Sequence, residues 1–167
     1  MQWKKLGKEP CSVARAVSVI GDRWTLLVLR DCFLGVRRFE AFENRLRIPR
    51  PVLADRLRKL VRSEVLKKTL YEKRPARYEY RLTEKGLDLY PVIMALVHWG
   101  DVHMAPGGRP LLHRHSCGHR FDPVMVCSQC ETELKAREVT VAPGPGGRQN
   151  PRKPPKIAGF SSPRPRS

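Results

Sequence analysis

Residues 37–86 read RRFEAFENRLRIPRPVLADRLRKLVRSEVLKKTLYEKRPARYEYRLTEKG, and three patterns follow one another within them. Phe39, Phe42 and Leu46 recur three and four residues apart, which predicts a short helix with Arg38, Arg45 and Arg47 on its outward side. Ile48-Pro49-Arg50-Pro51 interrupts it, because proline is unfavourable inside a helix and well suited to the first turn of the next one. Val52, Leu53, Leu57, Leu60 and Val61 then mark the buried stripe of a second helix over about 51–63. Its remaining faces carry Arg50, Ala54, Asp55, Arg58, Lys59 and Arg62. Residues 65–71 and 77–82 alternate as strands do, about a turn at Lys73-Arg74-Pro75-Ala76. Two helices with a basic hairpin beside them predict a winged helix-turn-helix. In that arrangement apolar residues anchor the second helix while its first outward side chains reach the base edges of duplex DNA.

Toward the N-terminus, Val13, Ala16, Val17 and Ile20 recur at helical spacing up to Gly21-Asp22. Asp22 is suited to cap a further helix carrying Trp24, Leu27 and Val28, and Gly35 to end it. On the other side of the hairpin, Thr83 is placed to cap one long helix containing Leu87, Leu89, Tyr90, Ile93, Met94, Leu96, Val97 and Trp99, interrupted early by Pro91. Trp24, Phe33, Met94 and Trp99 are candidates to line an effector pocket, although aromatic residues at helical spacing are more often plain core. The expected class is α+β, mostly α. Its parts are an N-terminal arm (1–10), a winged helix unit (11–104), a small Cys/His extension (105–142) and a basic Pro/Gly-rich tail (143–167). The tail has too little apolar surface to offset the entropy of ordering and is expected to be disordered. There is no internal repeat.

Charge points the same way as pattern. The chain has 33 Lys and Arg against 16 Asp and Glu, a net +17 with a pI near 10.4. A polyanionic partner follows, nucleic acid first and an anionic membrane surface second. Residues 37–85 hold sixteen basic and seven acidic side chains, so +9 of the +17 sits on the proposed DNA-facing segment. No apolar run approaches the roughly 18 residues needed to span a bilayer, and the first residues lack the apolar region of a secretory signal, so the expected address is cytoplasmic. There is no Walker-type glycine loop, G-x-S-x-G, H-E-x-x-H or paired-carboxylate pattern, so the expectation is a binding protein, not an enzyme. Charge alone also allows a nonspecific nucleic-acid-binding protein.

Cysteines at 11, 32, 117, 127 and 130 form an odd set better suited to reduced thiols or a metal than to a disulfide framework. Cys127-x2-Cys130 has the spacing of a zinc knuckle, and Cys117 with His119 or His115 would complete four ligands. Cys117, His119, Cys127 and Cys130 are therefore the candidate set for a structural zinc. Free thiols in a small hairpin, or a thiol switch, fit the same residues.

Cys11-Ser12-Val13, Gly21 through Leu27, Arg38-Phe39, Ile48 through Leu53, Asp55-Arg56-Leu57, Tyr80 through Gly86 and Trp99-Gly100 together resemble, in order, the signatures of the HxlR-type transcriptional regulators, relatives of the MarR group. The resemblance covers about residues 8–103. It implies a winged helix domain, a homodimer made by the terminal helices, and a palindromic operator. It also places the recognition helix on 51–62 and the wing on 72–77. Two positions depart from the family pattern. Pro49 stands where Ser is common, which removes an N-cap worth about 1 kcal/mol, and Glu64-Val65 stands where the turn into the wing commonly has Gly.

On this reading Arg37, Arg38, Arg45, Lys73, Arg74 and Arg77 meet phosphate and the wing-side minor groove, while Arg50, Pro51, Asp55 and Arg58 are the base-reading candidates. Asp55 is equally suited to hold Arg56 or Arg58 by an ion pair, and Arg56 reads as structural. Cys11, at a helix start, matches the family's N-terminal cysteine, which in some members senses oxidants or electrophiles. A helix N-terminus and Arg15 one turn on would favour its thiolate, whereas a plain small residue at a helix start is the simpler reading.

Overall fold

The computed structural model describes residues 3–142 and 144–146, so the tail expected to be disordered lies almost wholly outside the described residues. The chain divides into two compact units, residues 1–121 and 122–167. In the first unit a 3-10 helix (Trp3–Lys8) precedes α1 (Ser12–Ile20), α2 (Arg23–Phe33), α3 (Phe39–Leu46) and α4 (Arg50–Arg62). The strands β1 (Leu66–Lys73) and β2 (Ala76–Leu82) follow, then α5 (Glu84–Leu87) and α6 (Tyr90–His103). The architecture is mixed α and β with a two-stranded antiparallel sheet, the winged arrangement expected from residues 37–86.

Local chemistry accounts for the boundaries. The Asp22 carboxylate accepts from the backbone N–H groups of Trp24 (3.1 Å) and Thr25 (3.2 Å), satisfying donors that the first turn of α2 leaves open. Gly35, at φ +84°, lies just past that helix, and no side chain is needed there. The single long helix expected after Thr83 is instead two helices. Thr83 caps only α5, accepting from the Gly86 N–H at 3.1 Å, and the chain restarts at α6 with Pro91 in its first turn. Proline cannot donate to the preceding turn, so a break at Asp88-Leu89 satisfies the backbone better than a continuous helix would. Gly86 itself is required by packing, since a Cβ there would lie 2.2 Å from the Val65 carbonyl oxygen.

The core is drawn from α1 to α4, β1 and α6, with β2 packed against it. Val28 and Leu29 of α2, Phe42 of α3, Leu53, Leu57 and Leu60 of α4, and Leu66 of β1 are buried together with Ile48, Val65 and Ile93. Three of the five apolar residues assigned to the α4 stripe are fully buried, and Val52 and Val61 are half-buried. The hairpin pairs Leu66 with Leu82 through Lys73 with Ala76, with a bulge between Leu70 and Glu72. It is tied to the helices by a bridge between Arg38 and Glu79, in which the Tyr80 N–H donates to the Arg37 carbonyl at 2.8 Å. The wing is thereby fastened to the segment that leads into α3.

In the second unit a bridge between Val126 and Glu133 closes a turn in which the Cys127 N–H donates to the Thr132 carbonyl (2.9 Å) and Glu131 adopts φ +57°.

Candidate nucleic-acid interface

Aromatic rings gather the basic side chains of three elements onto one surface. The Arg50 guanidinium, at the start of α4, lies 4.9 Å from the Phe39 ring centroid at the start of α3. Phe39 in turn lines a small cleft with Glu40, Lys68, Tyr71, Arg77, Tyr78 and Tyr80. Arg38 sits 4.6 Å from the Tyr71 ring, and the Lys68 ammonium 3.8 Å from the Tyr78 ring. Such contacts hold a cation at the surface without neutralising it, which a polyanion-binding face requires.

Lys68 and the two tyrosines are absent from the sequence-derived set. The strand register explains the stacking: Lys68 pairs with Tyr80 and Leu70 with Tyr78, so Lys68 and Tyr78 are diagonal neighbours across the hairpin. Alternation alone marks Lys68 only as one more exposed lysine.

The base-reading candidates differ in how they are held. Arg58 is exposed and makes no ion pair among the described residues; it lies close enough to Tyr80 to oppose the rise in that phenol's pKa, which burial first and Glu40 second produce. Arg50 is ion-paired to Glu43 of α3 as well as stacked on Phe39. Asp55 is ion-paired to Arg56, and Arg56 also donates to Asp22 at 2.7 Å, which ties α4 to the cap of α2. Burial pushes the Asp22 carboxyl up, but the Arg56 hydrogen bond and the Thr25 and Trp24 N–H groups outweigh it and leave the group below the ordinary carboxylate value. Pro51 is exposed in the first turn of α4, and Pro49 at its N-cap position supplies no side-chain bond.

Among the phosphate candidates, Arg37, Lys73 and Arg74 are exposed, the last two at the hairpin turn. Arg77 makes a 3.4 Å ion pair with Glu72. Arg45 is positioned from below: its Nε donates to Asp31 Oδ2 at 3.1 Å, and Asp31 is wholly buried and also bound by Arg30. Half of the Arg45 side chain stays accessible, so the buried carboxylate fixes the arginine's direction while leaving its terminal nitrogens available.

Cys11 is exposed at the N-cap position of α1, with extended backbone and no capping bond from its side chain. Arg15 Nε donates to the Glu9 carbonyl at 2.9 Å, so its side chain is engaged there. Cys32 is a different kind of thiol: burial, with Asp31 beside it, pushes it up to about 12, which makes it unreactive at neutral pH. Cys117 and His119 are exposed around a turn where Gly118 adopts φ +88°. In the second unit Cys130 is exposed beside half-buried Cys127, and its thiol is held below the ordinary value by its hydrogen bond to Thr132, with Cys127 adding to the effect. Among the described residues no group of three or more His, Cys, Asp or Glu side chains is placed to hold a metal ion.

No described helix is long and apolar enough to cross a membrane.

Residues 19–107 match the family of HxlR-like helix-turn-helix proteins. An uncharacterized HTH-type transcriptional regulator of Mycobacterium tuberculosis is 48% identical over 137 residues, covering 81% of this chain and 87% of that protein. That alignment is longer than residues 1–104, so the likeness reaches into the Cys/His extension. The HTH-type transcriptional regulator YodB of Bacillus subtilis is 32% identical over 104 residues, covering 61% of this chain and 93% of its own length. Among solved structures, PA1607, assigned as a transcription factor, superposes with a TM-score of 0.72 at 34% identity, covering 81% of this chain and 96% of that one. The redox regulator HypR in its reduced form gives a TM-score of 0.53 at 28% identity over 55% of this chain and 92% of that one.

Proposed function

Because the chain belongs to the HxlR-like helix-turn-helix family of transcriptional regulators, we propose that it binds a palindromic DNA operator as a homodimer, α4 in the major groove and the β1–β2 wing against the backbone. The observation that carries this reading is the aromatic-held basic surface shared by α3, α4 and the hairpin, in which Arg38, Arg50 and Lys68 each lie over a ring. Arg37, Arg38, Arg45, Lys73, Arg74 and Arg77 contact phosphate and supply affinity that falls with salt. Arg58 reads bases, with Arg50, Pro51 and Asp55 beside it. Val92, Leu96, Trp99 and Val102 of α6 are exposed apolar residues, and a row of that kind supports α6 as the dimer contact.

Selection of bound duplexes from a random pool tests the proposal. A palindromic site bound about a thousandfold or more tighter than random duplex is the expected result; comparable affinities would leave the nonspecific, charge-driven reading in its place. With that site in hand, Arg58→Ala is expected to lose discrimination by about 1–3 kcal/mol at one base position per half-site. An equal loss on operator and random duplex would remove Arg58 from the base readers.

A thiol response is a second reading, supported by the exposure of Cys11 at the start of α1 and by the likeness to the redox regulator HypR. Operator affinity should change with diamide in the native chain and not in Cys11→Ser. Unchanged binding by protein verified as oxidised at Cys11 would exclude it. For the extension, the spacing of Cys117, His119, Cys127 and Cys130 supports a structural zinc, and native mass spectrometry of freshly reduced protein decides it.

A further inference from the structure

α6 has two faces with different fates. Val92, Trp99 and Val102 lie on the exposed apolar row, whereas Ile93, Met94, Val97, Gly100 and Asp101 look onto a cavity of about 420 Å³ against the end of α2. That volume falls within the range of small-molecule sites, about 300–1,000 Å³. The Phe33 and Tyr90 rings, with centroids 5.0 Å apart, form part of its wall, and Met94 and Met104 add polarisable sulfur.

Two features make this more than a packing defect. The first is Gly100, in the interior of α6, where glycine costs about 1 kcal/mol relative to alanine. A Cβ there would meet nothing within 4 Å, so packing does not require the glycine; its absent side chain simply leaves the cavity open. The second is Asp101, half-buried at the same wall, with no hydrogen bond or ion pair among the described residues. The other charged lining residue, Arg30, is already turned onto the buried carboxylate of Asp31 at 2.8 and 3.0 Å. The cavity therefore offers, in Asp101, a carboxylate with no bonded partner among the described residues, beside two aromatic rings and an otherwise largely apolar wall, a combination that suits a cation with an apolar body.

We propose that this cavity binds a hydrophobic organic cation, with Asp101 as its counter-charge and Phe33 and Tyr90 as its aromatic wall. The exposed row of α6 lies outside the site apart from Leu96 at its edge, so occupancy does not require the dimer face to open. The proposal is also independent of DNA binding and is tested without it.

Tetraphenylphosphonium and tetraphenylborate share a tetraphenyl shell and carry opposite charges. Calorimetric titration of the full chain is expected to show saturable phosphonium binding at one site per chain. Asp101→Asn should weaken it about tenfold, the scale of a lost charge contact with a partly desolvated cation, without lowering the melting temperature. Gly100→Leu should abolish it by occupying the cavity, and this variant favours the helix, so a folding failure will not mimic the result. Absence of saturable phosphonium binding would overturn the proposal. So would binding that survives Gly100→Leu or is unchanged in Asp101→Asn, or tetraphenylborate displacing phosphonium with higher affinity, which would assign the cavity to anions through Arg30 and His113.

Discussion

Glu64 joins α4 to the wing in a conformation that only glycine adopts without strain. Its φ is +57°, and an L-residue in that left-handed region is destabilised by roughly 1–2 kcal/mol through crowding of Cβ against the carbonyl. The conformation is imposed from both sides. The Glu64 N–H donates to the Val61 carbonyl at 3.0 Å, and the Thr83 hydroxyl donates to the Glu64 carbonyl at 2.6 Å. The side chain is exposed and makes no ion pair among the described residues. Replacing it therefore removes strain without removing a contact.

Glu64→Gly relieves the crowding and gives back part of the gain, about 0.5–1 kcal/mol, to the extra freedom of glycine in the unfolded chain. The expected net stabilisation is about 0.5–1 kcal/mol, or roughly 2–8 °C in melting temperature for a cooperative unit of about 100 residues. Glu64→Ala is the control, because it removes the same charge and keeps the Cβ. Thermal and urea unfolding of the three proteins should place the glycine variant above both others. If Glu64→Gly and Glu64→Ala were equally stable, the left-handed strain would not be present and the turn would owe its shape to something else.

Three further outcomes follow from the same contacts. Arg74→Ala, at the hairpin turn, should weaken binding to operator and random duplex alike and make the slope of log K against log salt shallower by about one, read by anisotropy titrations across salt; a sequence-dependent loss would count against a phosphate role. Gly86→Ala should destabilise the winged unit by at least about 2 kcal/mol, since the new Cβ would meet a backbone oxygen that cannot move aside; an unchanged urea midpoint would refute the close approach. Asp22→Asn keeps an N-capping oxygen and removes the charge facing Arg56. Because the folded carboxyl titrates below its unfolded value, its contribution is present above pH 4, roughly, and is lost as pH falls through the folded value. The native chain should exceed the variant in stability at pH 7, with the gap closing toward pH 3; a gap constant over that range would mean the charge contributes nothing.

Much of the winged unit was legible because its signals are local. The buried stripe of Leu53, Leu57 and Leu60, the capping carboxylate of Asp22 and the hairpin turn before Ala76 each depend on residues within a few positions of one another. The split between α5 and α6 was harder to read. Apolar spacing continues through Leu87, Leu89 and Tyr90, and only the missing N–H of Pro91 marks a break that periodicity conceals. Partners across elements left still less trace. Arg50 with Glu43, Arg45 with Asp31 and Lys68 with Tyr78 join residues whose proximity is created by folding. The effector-pocket candidates separated for the same reason. Phe33 and Met94 line the α6 cavity, Trp24 packs against the core, and Trp99 stands on the exposed face of the same helix.

The ion pairs around α4 set an order among its arginines that charge counting does not give. Arg56 is committed to Asp22 and Asp55, so moving it to DNA would detach α4 from the α2 cap. Arg50 must leave only Glu43 and the face of Phe39, both near the surface. An exposed ion pair contributes about 0–1 kcal/mol, less than the roughly 1–3 kcal/mol a bidentate arginine–guanine contact supplies. On the proposed DNA-binding reading, Arg50 would exchange its partner for a matched base, but would have little surplus for a mismatched one. Arg58 makes no ion pair among the described residues, so on the same reading it would break none on contact. Of the four arginines of α4, Arg56 is held for structure, Arg50 is held by Glu43 and Phe39, and Arg58 and Arg62 make no ion pair among the described residues; on the proposed DNA-binding reading, discrimination would depend more on how these side chains are held than on how many positive charges the face carries.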